Sequence, residues 1–84
     1  MTPEALRERL LDLLTGVAPD VARGSVEPGV DFRDQFDFDS MDTLNLAVAI
    51  HDALGVDVPE TDYAKLSSLD KCVAYLQPRL APGP

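Results

Sequence analysis

The chain predicts a small all-α fold: a four-helix bundle of three longer helices and one short third helix, with a long loop between the first and second. Three observations predict it. Apolar residues recur at three- and four-residue spacing within separate segments, and no segment alternates convincingly as a strand would. Each segment is bracketed by residues that start or stop helices. The length of 84 residues suits one small domain with a thin core, with neither a repeat nor a second domain.

The first helix opens at Thr2-Pro3, a capping residue followed by proline at the first helical position. Leu6, Leu10, Leu13, Leu14 and Val17 form its apolar stripe, and Gly16 and Pro19 stop it. Residues 19–38 contain Pro19, Gly24, Pro28 and Gly29 and read as a loop. A loop that long signals function or anchored packing. Val26, Val30, Phe32 and Phe36 are expected to tie it to the core, with Asp20, Glu27, Asp31, Asp34 and Asp37 facing water.

The second helix is expected from Ser40 to about Leu54, ending at Gly55. At 100° per residue, Thr43, Leu46, Ala47, Ile50 and Leu54 share one face, assigned to the core. Met41, Leu44 and Val48 form a second apolar stripe on the side of Ser40, with Asn45, His51 and Asp52 among or beside them. Two readings of that stripe stand: a helix buried on most sides, or a docking face beside the serine, ringed by Asp42 and Asp52.

A short third helix is expected after Pro59, around Thr61 to Lys65. Ser67 then reads as the cap of the last helix, with Asp70 three residues on and Leu69, Cys72, Val73 and Leu76 on its apolar face. Pro78 and the Pro-Gly-Pro ending place the domain at 1–77 and a poorly ordered tail at 78–84.

Fifteen acids against seven bases give a net charge of −8. That argues against a nucleic-acid backbone as partner, since phosphates call for clustered Lys and Arg. The acidity suits either partners with basic patches or solubility alone. One cysteine allows no internal disulfide, and Cys72, on an apolar stripe, reads as a buried inert thiol. No segment is long enough to span a bilayer and no signal peptide precedes the first helix, so a cytoplasmic protein is expected; it is also taken to be a monomer.

Catalytic and metal readings fail on spacing. Ser40 lies between Phe38-Asp39 and Met41-Asp42, not in Gly-x-Ser-x-Gly. His51 is roughly 16 Å away along the helix axis, far beyond hydrogen-bond reach. A calcium loop starting at Asp37 would place Met41 at an oxygen-ligand position, Asp42 where glycine is needed and Val48 at the bidentate glutamate. What remains is Asp39-Ser40-Met41-Asp42. Asp39 is a good cap, Asp42 can reach back to complete a capping box, and Ser40 then sits at a tip that favours phosphate.

That motif resembles the attachment site of acyl carrier proteins, in which Asp-Ser-Leu opens the second of four helices. The resemblance runs from about Leu6 to Leu76. It is carried by Phe32, Gln35 and Phe36 before the serine, Leu54-Gly55-Val56-Asp57-Val58-Pro59 after the second helix, and Leu66-Ser67-Ser68-Leu69 with Val73-Ala74-Tyr75-Leu76 at the end. It implies 4′-phosphopantetheine on Ser40, acyl groups carried as thioesters on that arm, and no catalysis by the chain itself. It also implies a phosphopantetheinyl transferase, an acyl- or aminoacyl-loading ligase and acyl-processing enzymes as partners. Asp39, Met41, Asp42, Leu44, Val48 and Asp52 become the partner-contact residues. Asp37 replaces a glycine common in the family, Phe38 adds bulk, and Met41 replaces leucine. Asn45 and His51 stand where primary fatty-acid carriers have acids, which favours a specialised fatty-acid, polyketide or secondary-metabolite pathway. Two alternatives stay open: an aminoacyl or peptidyl carrier, and an unmodified helical interaction module.

Overall fold

The computed structural model describes residues 1–80. Helix α1 spans Pro3–Val17, a four-residue helix α2 spans Phe32–Gln35, α3 spans Ser40–Leu54 and α4 spans Leu69–Leu80. A 3-10 turn at Arg23–Ser25 and a 3-10 helix at Glu60–Leu66 complete the chain order. No strand occurs among the described residues, and the fold is the small helical bundle that the periodicity predicts.

Helix α1 begins where its cap dictates, with the Thr2 side chain accepting the Ala5 N–H at 3.1 Å. It packs against both α3 and α4, while the 3-10 helix closes over both. Leu6, Leu10 and Leu14 from α1 meet Leu46 and Ile50 from α3, Leu66 from the 3-10 helix, and Leu69, Cys72 and Leu76 from α4. Each large apolar side chain buried in this way contributes about 1.5–3 kcal/mol. Leu11 is buried as well, while Leu13 and Val17 are only partly so.

Residues 19–38 are more ordered than a plain loop. The turn at Arg23–Ser25 is clamped to α1 by Arg23, whose guanidinium bonds Glu8 Oε1 at 2.8 Å and also pairs with Asp12. Gln35 makes three hydrogen bonds: its Oε1 accepts from Glu27 N–H, and its Nε2 donates to the carbonyls of Glu27 and Val30. Phe32 is buried, whereas Val26, Val30 and Phe36 are partly buried. The five loop carboxylates are exposed as expected.

Two expectations need correction. Ser68, not Ser67, caps α4: its Oγ accepts the Lys71 N–H at 3.1 Å. The physical reason is register, because Leu69 is the first helical residue and a cap must immediately precede it. Helix α4 also continues through Pro78 to Leu80 rather than stopping at 77. Proline removes one N–H there, but Arg79 Nη1 donates to the Tyr75 carbonyl at 2.6 Å and its guanidinium lies 3.7 Å from the Tyr75 ring, holding the last turn. The rest of the expected tail, 81–84, lies outside the described residues.

Candidate functional site

The site is built from the start of α3. Asp39 is extended, and its Oδ1 accepts the Asp42 N–H at 2.9 Å. Asp42 Oδ2 returns the bond by accepting the Asp39 N–H at 3.1 Å. Both halves of the capping box are therefore present, with aspartate doing what glutamate usually does. Thr43 N–H goes to the Asp39 carbonyl. The partial positive charge of the tip is left on the first N–H groups, those of Ser40 and Met41.

Ser40 is exposed at this tip. What fixes the tip in space is an aromatic cluster just before it. Phe38 is 6% exposed, and its ring centroid lies 5.1 Å from that of Phe32 and 6.0 Å from that of Phe36. Phe38 is thus an anchor two residues upstream of the serine. The sequence marked its bulk without assigning it to the core.

The two stripes of α3 separate as the helical phase requires. Leu46, Ala47 and Ile50 are buried. Thr43 and Leu54 are half-buried, and the Thr43 hydroxyl donates back to the Asp39 carbonyl at 3.2 Å. On the other side Met41 is 61% exposed, Leu44 38% and Val48 51%. Three of the exposed large hydrophobics of the described residues therefore lie on one helix face, beside Ser40, which removes the reading of a helix buried on most sides. Asp52 is exposed at the far end, and Asp42 is half-buried in its capping role.

Nothing here activates the serine. His51 turns to carboxylates at the other end of the helix, with Nε2 3.2 Å from Asp57 and Nδ1 3.6 Å from Asp52. Cys72 is buried, and that burial pushes its thiol up to about 12, so it is no nucleophile at neutral pH. Among the described residues no group of three or more His, Cys, Asp or Glu could hold a metal ion, and no helix is long and apolar enough to cross a membrane.

A groove of about 460 Å³ opens beside Ser40. Asp31, Arg33, Phe38 and Thr43 line it from the loop and the start of α3, and Tyr63, Ala64, Ser67 and Lys71 line it from the 3-10 helix, the link after it and α4. A neighbouring hollow on the other side of the tip also has Arg33, Phe38 and Ser40 in its lining, with Asp37 and Asp39. An exposed hydroxyl at an electropositive tip, with a groove leading away from it, fits a phosphoester bearing a flexible arm.

The fold is thus a small helical bundle that displays the Ser40 hydroxyl beside an exposed apolar stripe. The family described as "phosphopantetheine attachment site" matches residues 8–76. Proteins named meromycolate extension acyl carrier protein from Mycolicibacterium aurum and Mycolicibacterium smegmatis are each 34% identical over 68 residues, 81% of this chain and 66% and 65% of their own lengths. The acyl carrier protein of Rhodococcus erythropolis is 33% identical over 75 residues, 89% of this chain and 78% of its own. The chain thus spans slightly less than two-thirds of those two meromycolate carriers. It belongs to the phosphopantetheine-attachment family of acyl carrier proteins. The prosthetic group of that family is 4′-phosphopantetheine.

Proposed function

We propose that Ser40 is the residue that bears the 4′-phosphopantetheine arm and that the chain carries acyl groups on it. The observation that supports this most is the exposed Ser40 at the first position of a helix whose capping box leaves the Ser40 and Met41 N–H groups free to face a phosphate. The arm supplies a terminal thiol and its acyl-transfer chemistry. The protein's own residues do the rest. Asp39 and Asp42 hold the tip, Phe38 fixes its position, and Met41, Leu44 and Val48 offer an apolar surface to enzymes.

The partners on this reading are a phosphopantetheinyl transferase, an acyl-loading ligase and acyl-processing enzymes with basic docking patches. Asp39, Asp42 and Asp52 provide the complementary charge in a chain of net −8. Asn45 and His51 are exposed on α3 and make that helix less acidic, which favours the enzymes of a specialised fatty-acid, polyketide or secondary-metabolite pathway. The names of the relatives favour acyl over aminoacyl cargo. The reading also takes the protein as a cytoplasmic monomer.

Intact mass after incubation with coenzyme A and a broad-specificity transferase tests the assignment. One added arm is expected, absent in Ser40→Ala, whose melting temperature stays that of the unmodified protein. An unchanged mass with several such transferases would overturn it in favour of an interaction module.

A further inference from the structure

The groove that opens at Ser40 adjoins a second of about 450 Å³, with Ala64 and Lys71 lining both. The remaining lining of the second groove is Lys65, Ala74, Tyr75 and Arg79. In a chain with seven bases against fifteen acids, three bases converge on this groove and no carboxylate stands in its wall. Asp62 is nearby, but it accepts the Tyr75 hydroxyl at 2.6 Å and pairs with Lys65 at 3.7 Å. Lys71 has only Asp31 at 4.0 Å, with both side chains about half-exposed. Arg79 gives one N–H to the Tyr75 carbonyl and one face to the Tyr75 ring, which leaves other donors of its fork free.

A separate observation concerns the first groove. Ser67, displaced from the capping role by Ser68, lines this groove, and its Oγ is buried with no hydrogen-bond partner. Such a hydroxyl is costly to leave unpaired. Thr43, Tyr63, Asp31 and Arg33 add further polar groups to the lining of this groove. The apolar interior, meanwhile, is filled by Leu46, Ile50, Leu66 and Leu76.

We propose that the two grooves form one track, in which the first holds the polar length of the arm on Ser40 and the second receives the carboxylate end of a dicarboxylic acyl group, through Lys71 and Arg79. This rests on the attachment reading above. It selects cargo by charge at the far end rather than by sequestering a long apolar tail.

The test charges the unmodified protein from acyl-coenzyme A donors with a broad-specificity transferase and reads intact mass before anything else. A chain that accepts no arm overturns the attachment reading, and the track with it. On protein that does accept one, a glutaryl group is compared with 5-methylhexanoyl, a neutral group of nearly the same shape, and with octanoyl. Glutaryl is expected to raise the melting temperature by about 2–4 °C over the neutral pair. That gain should vanish in 1 M salt, where screening is strong, and in Lys71→Gln, a surface change that leaves the fold intact. Adding the arm should move the Ser67 backbone amide resonance, and Ser67→Ala should reduce the effect of the arm on neighbouring resonances. Equal stabilisation by the neutral group, greater stabilisation by octanoyl, or no shift with any cargo would each overturn the track while leaving the attachment of the arm intact.

Discussion

The two apolar faces of α3 have similar composition and opposite fates. One carries Leu46, Ala47 and Ile50, each 5% exposed or less. The other carries Met41, Leu44 and Val48, each 38% exposed or more. Hydrophobicity alone does not tell them apart. Their phase relative to α1 and α4 does, since only one face of α3 can meet the bundle. An apolar face left in water beside a helix tip is unfavourable for solubility, and its persistence here is understandable if partners cover it.

The largest test of that contrast is Ile50→Ala. Ile50 is fully buried among leucines, so truncation removes transfer energy and leaves a cavity, at a cost of about 2–5 kcal/mol in urea or thermal melts. The same truncation at Val48 should stay within about 0.5 kcal/mol of the wild type. Equal losses at the two positions would show that the faces are not distinct.

Asp39→Ala comes next, at the end where both faces begin. It removes the acceptor for Asp42 N–H and strands the other half of the capping box, with an expected loss of about 1 kcal/mol. Because the tip itself loosens, modification by a transferase should slow as well. An undiminished melting temperature would mean that Asp42 or solvent already satisfies the tip.

Much of this contrast is legible in the sequence. The cap at Thr2-Pro3, the box at Asp39 and Asp42, the stop at Gly55 and the two stripes of α3 are all local periodicity or local hydrogen bonding, and the structure contains each of them. Gly55 adopts φ +70°, the left-handed turn that glycine permits at a helix end. Less legible were features set by long-range contact. Gln35 looks like any polar loop residue until Glu27 and Val30 fold back onto it. Phe38 joins the core only because Phe32 and Phe36 come within 6 Å or so of it. The choice between Ser67 and Ser68 as cap depends on a one-residue register that spacing could have favoured, since Leu69 opens the apolar stripe. The passage of α4 through Pro78 depends on Arg79 folding back over Tyr75, which no local rule anticipates.

A finer comparison comes from pH, with a pair that lies outside both faces of α3. The Tyr75 hydroxyl, bonded at 2.6 Å, holds Asp62 below the usual carboxylate range, with help from Lys65 and Arg79. The same bond holds the Tyr75 hydroxyl above its usual value. Asp62 therefore adds stability above its unfolded pKa of about 3.9, and that stability is lost as pH falls through its lower folded value. Tyr75 adds stability below its unfolded pKa of about 10, lost as pH rises through its higher folded value. The stability gap between wild type and Tyr75→Phe should be widest at neutral pH and close at both extremes. A gap that is flat with pH would assign the loss to packing alone.

The smallest expected effect on stability is the one that decides what the exposed face is for. Val48→Asp and Met41→Asp place a charge on side chains that are already 51% and 61% exposed, so unfolding should shift by no more than about 0.5 kcal/mol. The same substitutions add a charge that must be desolvated wherever a partner's apolar surface seats on α3, so KM for the partner enzyme should rise about tenfold with kcat little changed. Stability and recognition should thus move in opposite order on the two faces: Ile50→Ala should destabilise without touching the exposed stripe, while Val48→Asp should weaken recognition without unfolding. If Val48→Asp melts as early as Ile50→Ala, the stripe beside Ser40 belongs to the core. If it neither melts early nor alters KM, partners seat elsewhere, and the acidic rim of Asp42 and Asp52 becomes the surface to test.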